Sequence, residues 1–110
     1  AEALDVTILT GSDAGSPGVL HGPGAWLEME LLGAAGLDPH RVLCGATGWS
    51  AREIGARDWG RIAEGCWADL LVIEGQPEER IPVPAQVRAL LRAGRPVPVT
   101  GGRHLLPTVA

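Results

Sequence analysis

The stretch L-D-V-T-I-L-T-G-S-D-A-G, residues 4–15, decides how this chain is read. Its first seven residues are short and β-branched and stop at a glycine, which predicts a strand over residues 4–10. Asp13 follows three positions after the strand, between the small residues Gly11, Ser12, Ala14 and Gly15, which let backbone and substrate approach it closely. A carboxylate just beyond the C-terminal tip of a parallel strand stands where barrel enzymes place catalytic groups. It can ligate a hard divalent cation and take a proton from an attacking water. Asp between glycines is also a common turn residue that hydrogen-bonds its own backbone. The pentapeptide alone leaves both readings open.

Working outward, residues 11–24 form a loop with five glycines and two prolines. His21 lies on it, eight residues after Asp13. A loop histidine can contact substrate, orient a leaving group or supply a supporting hydrogen bond, or it can be an ordinary surface residue. A helix is expected over residues 25–35, with Leu27, Leu31 and Ala35 at helical spacing. Glu28 and Glu30 would favour the positive end of its dipole, and Gly36 would end it. Asp38-Pro39 opens a second helix as N-cap and first helical residue, running to about residue 47. A shorter helix spans residues 50–54 and ends at Gly55. His40 and His104 have no histidine partner at HxH or HxxxH spacing and are read as structural or solvent-exposed.

Downstream, residues 68–73 form a short apolar run between Gly65 and Gly75, the pattern of a buried strand. Residues 87–93 and 97–100 could be two strands around Gly94-Arg95-Pro96. The segment V-R-A-L-L-R-A also has high helix propensity, and pattern alone favours a helix there. Residues 101–110 are expected to be an irregular end.

Composition bounds the function. The 110 residues suit one compact domain, whereas a (β/α)₈ barrel needs roughly 250. An apolar share of 45% can fill a core. All nine basic residues are arginine, scattered along the chain, and the net charge is −4; no basic stripe for nucleic acid is visible. Cys44 and Cys66 form no CxxC pair, so the expectation is two reduced, mostly buried thiols in a cytoplasmic protein. No apolar run approaches the ~20 residues of a membrane span, and no signal peptide is expected. A chain without lysine has no P-loop, and the glycine loop lacks GxGxxG.

Three motifs then occur in one order. G-S-D-A-G-S-P-G-V-L-H-G, residues 11–22, resembles the GTDAG-x-PG-x-x-HG loop after the last barrel strand of amidohydrolases related to imidazolonepropionase and Xaa-Pro dipeptidases. A-A-G-L-D-P-H-R-V-L-C-G-A-T-G-W-S-A-R-E-I-G, residues 34–55, resembles that family's EAGL-x-P-x-x-AL-x-x-AT-x-x-x-A-x-x-LG helix pair. G-R-I-A-E-G-C-W-A-D-L-L-V-I-E-G-Q-P, residues 60–77, resembles its GxIxxGxxADLLVLDGNP strand. Ser12 stands where the family has threonine, and Trp49 and Trp67 replace smaller or polar residues.

The resemblance implies an α/β fold: the last strand and helices of a TIM-like (β/α)₈ barrel over residues 1–56, followed by part of a small β-sandwich over residues 57–110. It selects strand over helix for residues 87–93. It implies that Asp13 is a metal ligand and the general base, that His21 lies on the substrate side, and that Asp69 is structural. The cofactor implied is a divalent metal, zinc, as one or two ions in the complete enzyme. The activity implied is hydrolysis of C–N bonds in a small-molecule amide, cyclic amide or dipeptide. The HxH pair, the bridging lysine and the later histidine ligands of the family are not among these residues. The 110-residue chain is therefore expected to be inactive alone, completed by the N-terminal part of the same enzyme or by further copies. The alternative is a non-catalytic binding or oligomerisation module derived from an amidohydrolase.

Overall fold

A computed structural model describes residues 6–98. Three helices come first, α1 (Pro23–Ala34), α2 (Pro39–Ala46) and α3 (Gly48–Glu53). Three strands follow, β1 (Leu70–Ile73), β2 (Val87–Arg92) and β3 (Arg95–Val97), with a 3₁₀ turn at Pro84–Gln86 leading into β2. α2 packs against both α1 and α3, and β2 lies between β1 and β3 in one antiparallel sheet. The content is α/β, with the helices preceding a small sheet.

The helix ends are made by local chemistry. Asp38 caps α2, its Oδ1 accepting from Arg41 N at 3.2 Å, and Pro39 fills the first helical position. Such a cap contributes about 1 kcal/mol. α1 ends in a Schellman motif: Gly36, at φ 95°, donates to Gly33 O and Leu37 donates to Leu32 O. α3 ends the same way through Gly55 and Ala56, which donate to Arg52 O and Ala51 O. α1 starts at Pro23, two residues earlier than expected, because proline suits the first helical position. Glu28 and Glu30 consequently lie beyond the first turn, where the dipole has little hold on them.

The expected strand over residues 4–10 is corrected in part. Leu4 and Asp5 lie outside the described residues, and residues 6–10 join no ladder. A strand needs a neighbour on an edge, and no described strand lies beside this one. The segment is instead docked along α2. Thr10 donates through N to Gly45 O (3.2 Å) and through Oγ1 to Val42 O (3.3 Å), and Arg41 Nη2 donates to Val6 O (3.3 Å). Gly45 permits this contact, since a Cβ there would sit 2.5 Å from Ile8 O.

Residues 87–92 are strand, not helix, because β1 and β3 supply ladders on both sides: Leu71 pairs with Leu90, and Leu91 with Pro96. The sheet is more open than the apolar run 68–73 suggested, with Leu71 and Val72 exposed and only Val87 and Ala89 buried. The turn lies one step earlier than Gly94-Arg95-Pro96. Arg92 pairs with Arg95 across a two-residue loop, Ala93 and Gly94, both at positive φ (50° and 74°), as a type I′ hairpin requires. Pro96 sits on the edge strand, where its missing N–H costs no ladder bond. Residues 99–110, including the ends of the expected second strand and tail, lie outside the described residues.

Ala93 carries the strain of that turn, because a Cβ in the left-handed region costs about 1 kcal/mol. Ala93→Gly is therefore expected to stabilise the hairpin by up to about 1 kcal/mol, read as a higher urea midpoint. Ala93→Val should lower it.

Candidate active-site loop

Residues 11–22 fold into a compact reverse loop between the segment docked on α2 and the start of α1. Ser16 N donates to Asp13 O (3.1 Å), Val19 N to Ser16 O (3.0 Å) and Gly15 N to Val19 O (3.3 Å). These bonds turn the chain back on itself. Gly24, in the first turn of α1, closes the loop from beneath: a Cβ there would lie 3.2 Å from Ser12 Cβ and 3.3 Å from Val19 Cγ1. Glycine lets helix and loop approach.

Asp13 stands at φ 50°, an uncommon conformation that aspartate tolerates better than most residues. Its side chain is exposed, and Oδ2 accepts from Ser16 Oγ at 2.5 Å. One carboxylate oxygen is thus held by a hydroxyl, and Oδ1 keeps its lone pairs for another donor or a cation. The Asp13–Ser16 contact also satisfies the plain-turn description, so the hydrogen bond by itself fits both sequence readings. His21 is exposed and lies over Gly15, its Nε2 3.5 Å from where a Cβ would stand. The loop therefore gathers Asp13, Ser16 and His21 within one reversal of the chain. Ser16 is the residue that sequence reasoning missed; its signal was the three-residue spacing from Asp13.

The donor set for a metal is incomplete. Among the described residues no three His, Cys, Asp or Glu side chains come together as a cation site, whereas a catalytic zinc takes three protein ligands. Asp13 suits one ligand position by its exposure and its free oxygen, and these residues alone do not hold the ion. Asp69 has the structural role expected of it: its Oδ1 accepts from Ala93 N at 2.6 Å, tying β1 to the hairpin turn beside the Gly94 N to Ala68 O bond (2.9 Å). Trp67 is accommodated by Asp58, which accepts from its indole Nε1 at 2.9 Å. Trp49 carries the Arg41 guanidinium 5.7 Å from its ring centroid.

Two clefts lie away from the loop. One, of about 360 Å³, opens between α1 and residues 79–84, where a Cβ on Gly33 would overlap Ile81 Cδ1. The other, of about 660 Å³, is lined by Arg52, Arg57 and Arg61 with Trp49 and Trp59. Three of the nine arginines, all within residues 52–61, thus share one surface. Cys44 and Cys66 are free thiols, half-buried where deeper burial was expected. No helix among the described residues is long and apolar enough to cross a membrane.

No family model matches the sequence, and no curated protein matches it. Among solved structures, a crystal structure described as an amidohydrolase is similar to this chain, with a TM-score of 0.63 and 28% identical residues. The match covers 72% of this chain and 21% of that one. The chain thus shares fold and sequence with about a fifth of an amidohydrolase, which supports the amidohydrolase superfamily as its origin.

Proposed function

We propose that this chain is the C-terminal portion of a metal-dependent hydrolase of amide or cyclic amide C–N bonds, related to imidazolonepropionase and Xaa-Pro dipeptidases. Residues 1–56 contribute the last strand and helices of the barrel, and residues 57–110 part of the flanking β-sandwich. Asp13 supplies one carboxylate of the metal centre and accepts a proton from the attacking water. Ser16 fixes the rotamer of that carboxylate, and His21 meets the substrate from the same loop. The divalent metal, zinc by the family's habit, would act as Lewis acid in the complete enzyme. Its other ligands lie outside these residues.

The observation that carries the reading is the likeness to a fifth of an amidohydrolase, with 28% identical residues over 72% of this chain. A second observation favours a part over a self-contained module. α1 has no single apolar face, and Leu27 and Leu31 on it are each 55% exposed while only Met29 is buried. The leucines of a helix in a folded protein ordinarily pack against a neighbouring element. Ile54 and Ile62 also stand open, at 73% and 90%. A free-standing module would have buried such side chains, each worth roughly 1.5–3 kcal/mol when covered.

The test is to compare the 110-residue chain with a polypeptide that joins it to the sequence encoded upstream. The joined protein is expected to hold one or two metal ions and hydrolyse an amide. The chain alone should hold no metal at Asp13, hydrolyse none and associate through its apolar faces. A monodisperse, inactive monomer together with a metal-free joined protein would favour the module.

A further inference from the structure

His40 and Cys44 lie one turn apart on α2 and face each other. Cys44 Sγ is 3.8 Å from His40 Nε2 and 4.0 Å from Nδ1. His40 is exposed, and Cys44 is a free, half-buried thiol. The neighbouring cation does not compete for the thiolate, because Arg41 is held over Trp49 and on Val6 O.

The separation suits one metal ion between the two donors. Zinc-type bonds of ~2.3 Å to sulfur and ~2.0–2.1 Å to nitrogen place the donors about 3.5 Å apart at a tetrahedral angle and about 4.3 Å apart when linear. Both observed distances fall inside that interval. The helix fixes the spacing, since residues four apart share a face. The imidazole has only to turn about its Cβ–Cγ bond to aim a lone pair, and its exposure leaves it free to do so. Either tautomer keeps one unprotonated nitrogen within reach.

We propose that His40 and Cys44 form a two-donor site for a single thiophilic d-block cation. A thiolate and an imidazole select zinc, cadmium, cobalt or cuprous ions over magnesium and calcium. Binding releases the thiol proton to solvent, and solvent completes the coordination. The site involves neither Asp13 nor His21, so it stands apart from the hydrolase reading.

Titration of the reduced 110-residue chain with Cd²⁺, followed by thiolate-to-metal charge-transfer absorption in the ultraviolet, tests the proposal. The absorption reports sulfur ligation alone and is blind to cation held by Asp13. It should saturate at one equivalent and be unchanged in Cys66→Ser. Cys44→Ser should abolish it. His40→Gln, a change at an exposed side chain, should weaken binding at least about tenfold, since losing even a residue that only supports a ligand costs that much. Absence of the absorption, loss of it in Cys66→Ser, or His40→Gln binding as tightly as the parent would each overturn the site.

Discussion

Asp13→Asn in the complete polypeptide is expected to lower kcat by about 10⁴-fold, the upper range for loss of a general base, with KM changed little. Asparagine keeps the size of aspartate, and its Oδ1 can still accept from Ser16 Oγ, so the turn over residues 13–16 persists. What disappears is the negative charge and the proton acceptor. Ser16→Ala should cost less, about 10–100-fold, because it frees the carboxylate rotamer without removing the carboxylate. Steady-state kinetics on both variants separates the roles. If Asp13→Asn retained most of its activity, Asp13 would be a turn residue and nothing more.

Gly60→Ala is expected to be the most damaging single-methyl change, lowering stability by about 3 kcal/mol or more through strain and overpacking together. Gly60 stands at φ 75°, which disfavours any Cβ. The methyl would also meet Ala51 Cβ at 2.6 Å and Thr47 O at 2.9 Å. Thr47 O is already engaged, accepting from Ala51 N at 2.9 Å in the first turn of α3, and Ala51 is among the buried residues. Neither neighbour has a flexible end that can move aside. Gly65→Ala is the matched control: φ is 82° and nothing lies within 4 Å of the added methyl. It should show the backbone term alone, about 1–2 kcal/mol. Urea unfolding of the two variants reads the difference, and equal midpoints would remove the packing contribution.

What was legible in the sequence was the chemistry that acts within a few residues. Asp38 and Pro39 announced α2, and Gly36 and Gly55 the ends of α1 and α3, because caps are satisfied locally. The hairpin over residues 87–97 was legible only in outline. Its helix-forming side chains yield to two ladders, which no local propensity records. Residues 6–10 carry the residue types of a strand without the pairing, since pairing depends on a neighbour remote in sequence. The site divides the same way. Asp13 and His21 were visible as motif positions, and Ser16 was overlooked because a hydroxyl in a glycine loop is unremarkable until its partner is known. His40 and Cys44 were passed over because histidine was matched only against histidine, although four-residue spacing on a capped helix already placed both on one face. Arg52, Arg57 and Arg61 show no period, and only the structure places them on one cleft.

The metal centre to which Asp13 would contribute needs partners that lie elsewhere, and their coding sequence can be read directly. Determination of the genomic sequence immediately upstream of the codon for Ala1 is expected to reveal a continuous reading frame. That frame should contain a His-x-His pair just after an apolar, β-branched segment. An in-frame stop shortly before Ala1, with no such pair encoded nearby, would contradict the account and leave Asp13 as the corner of a glycine-rich turn.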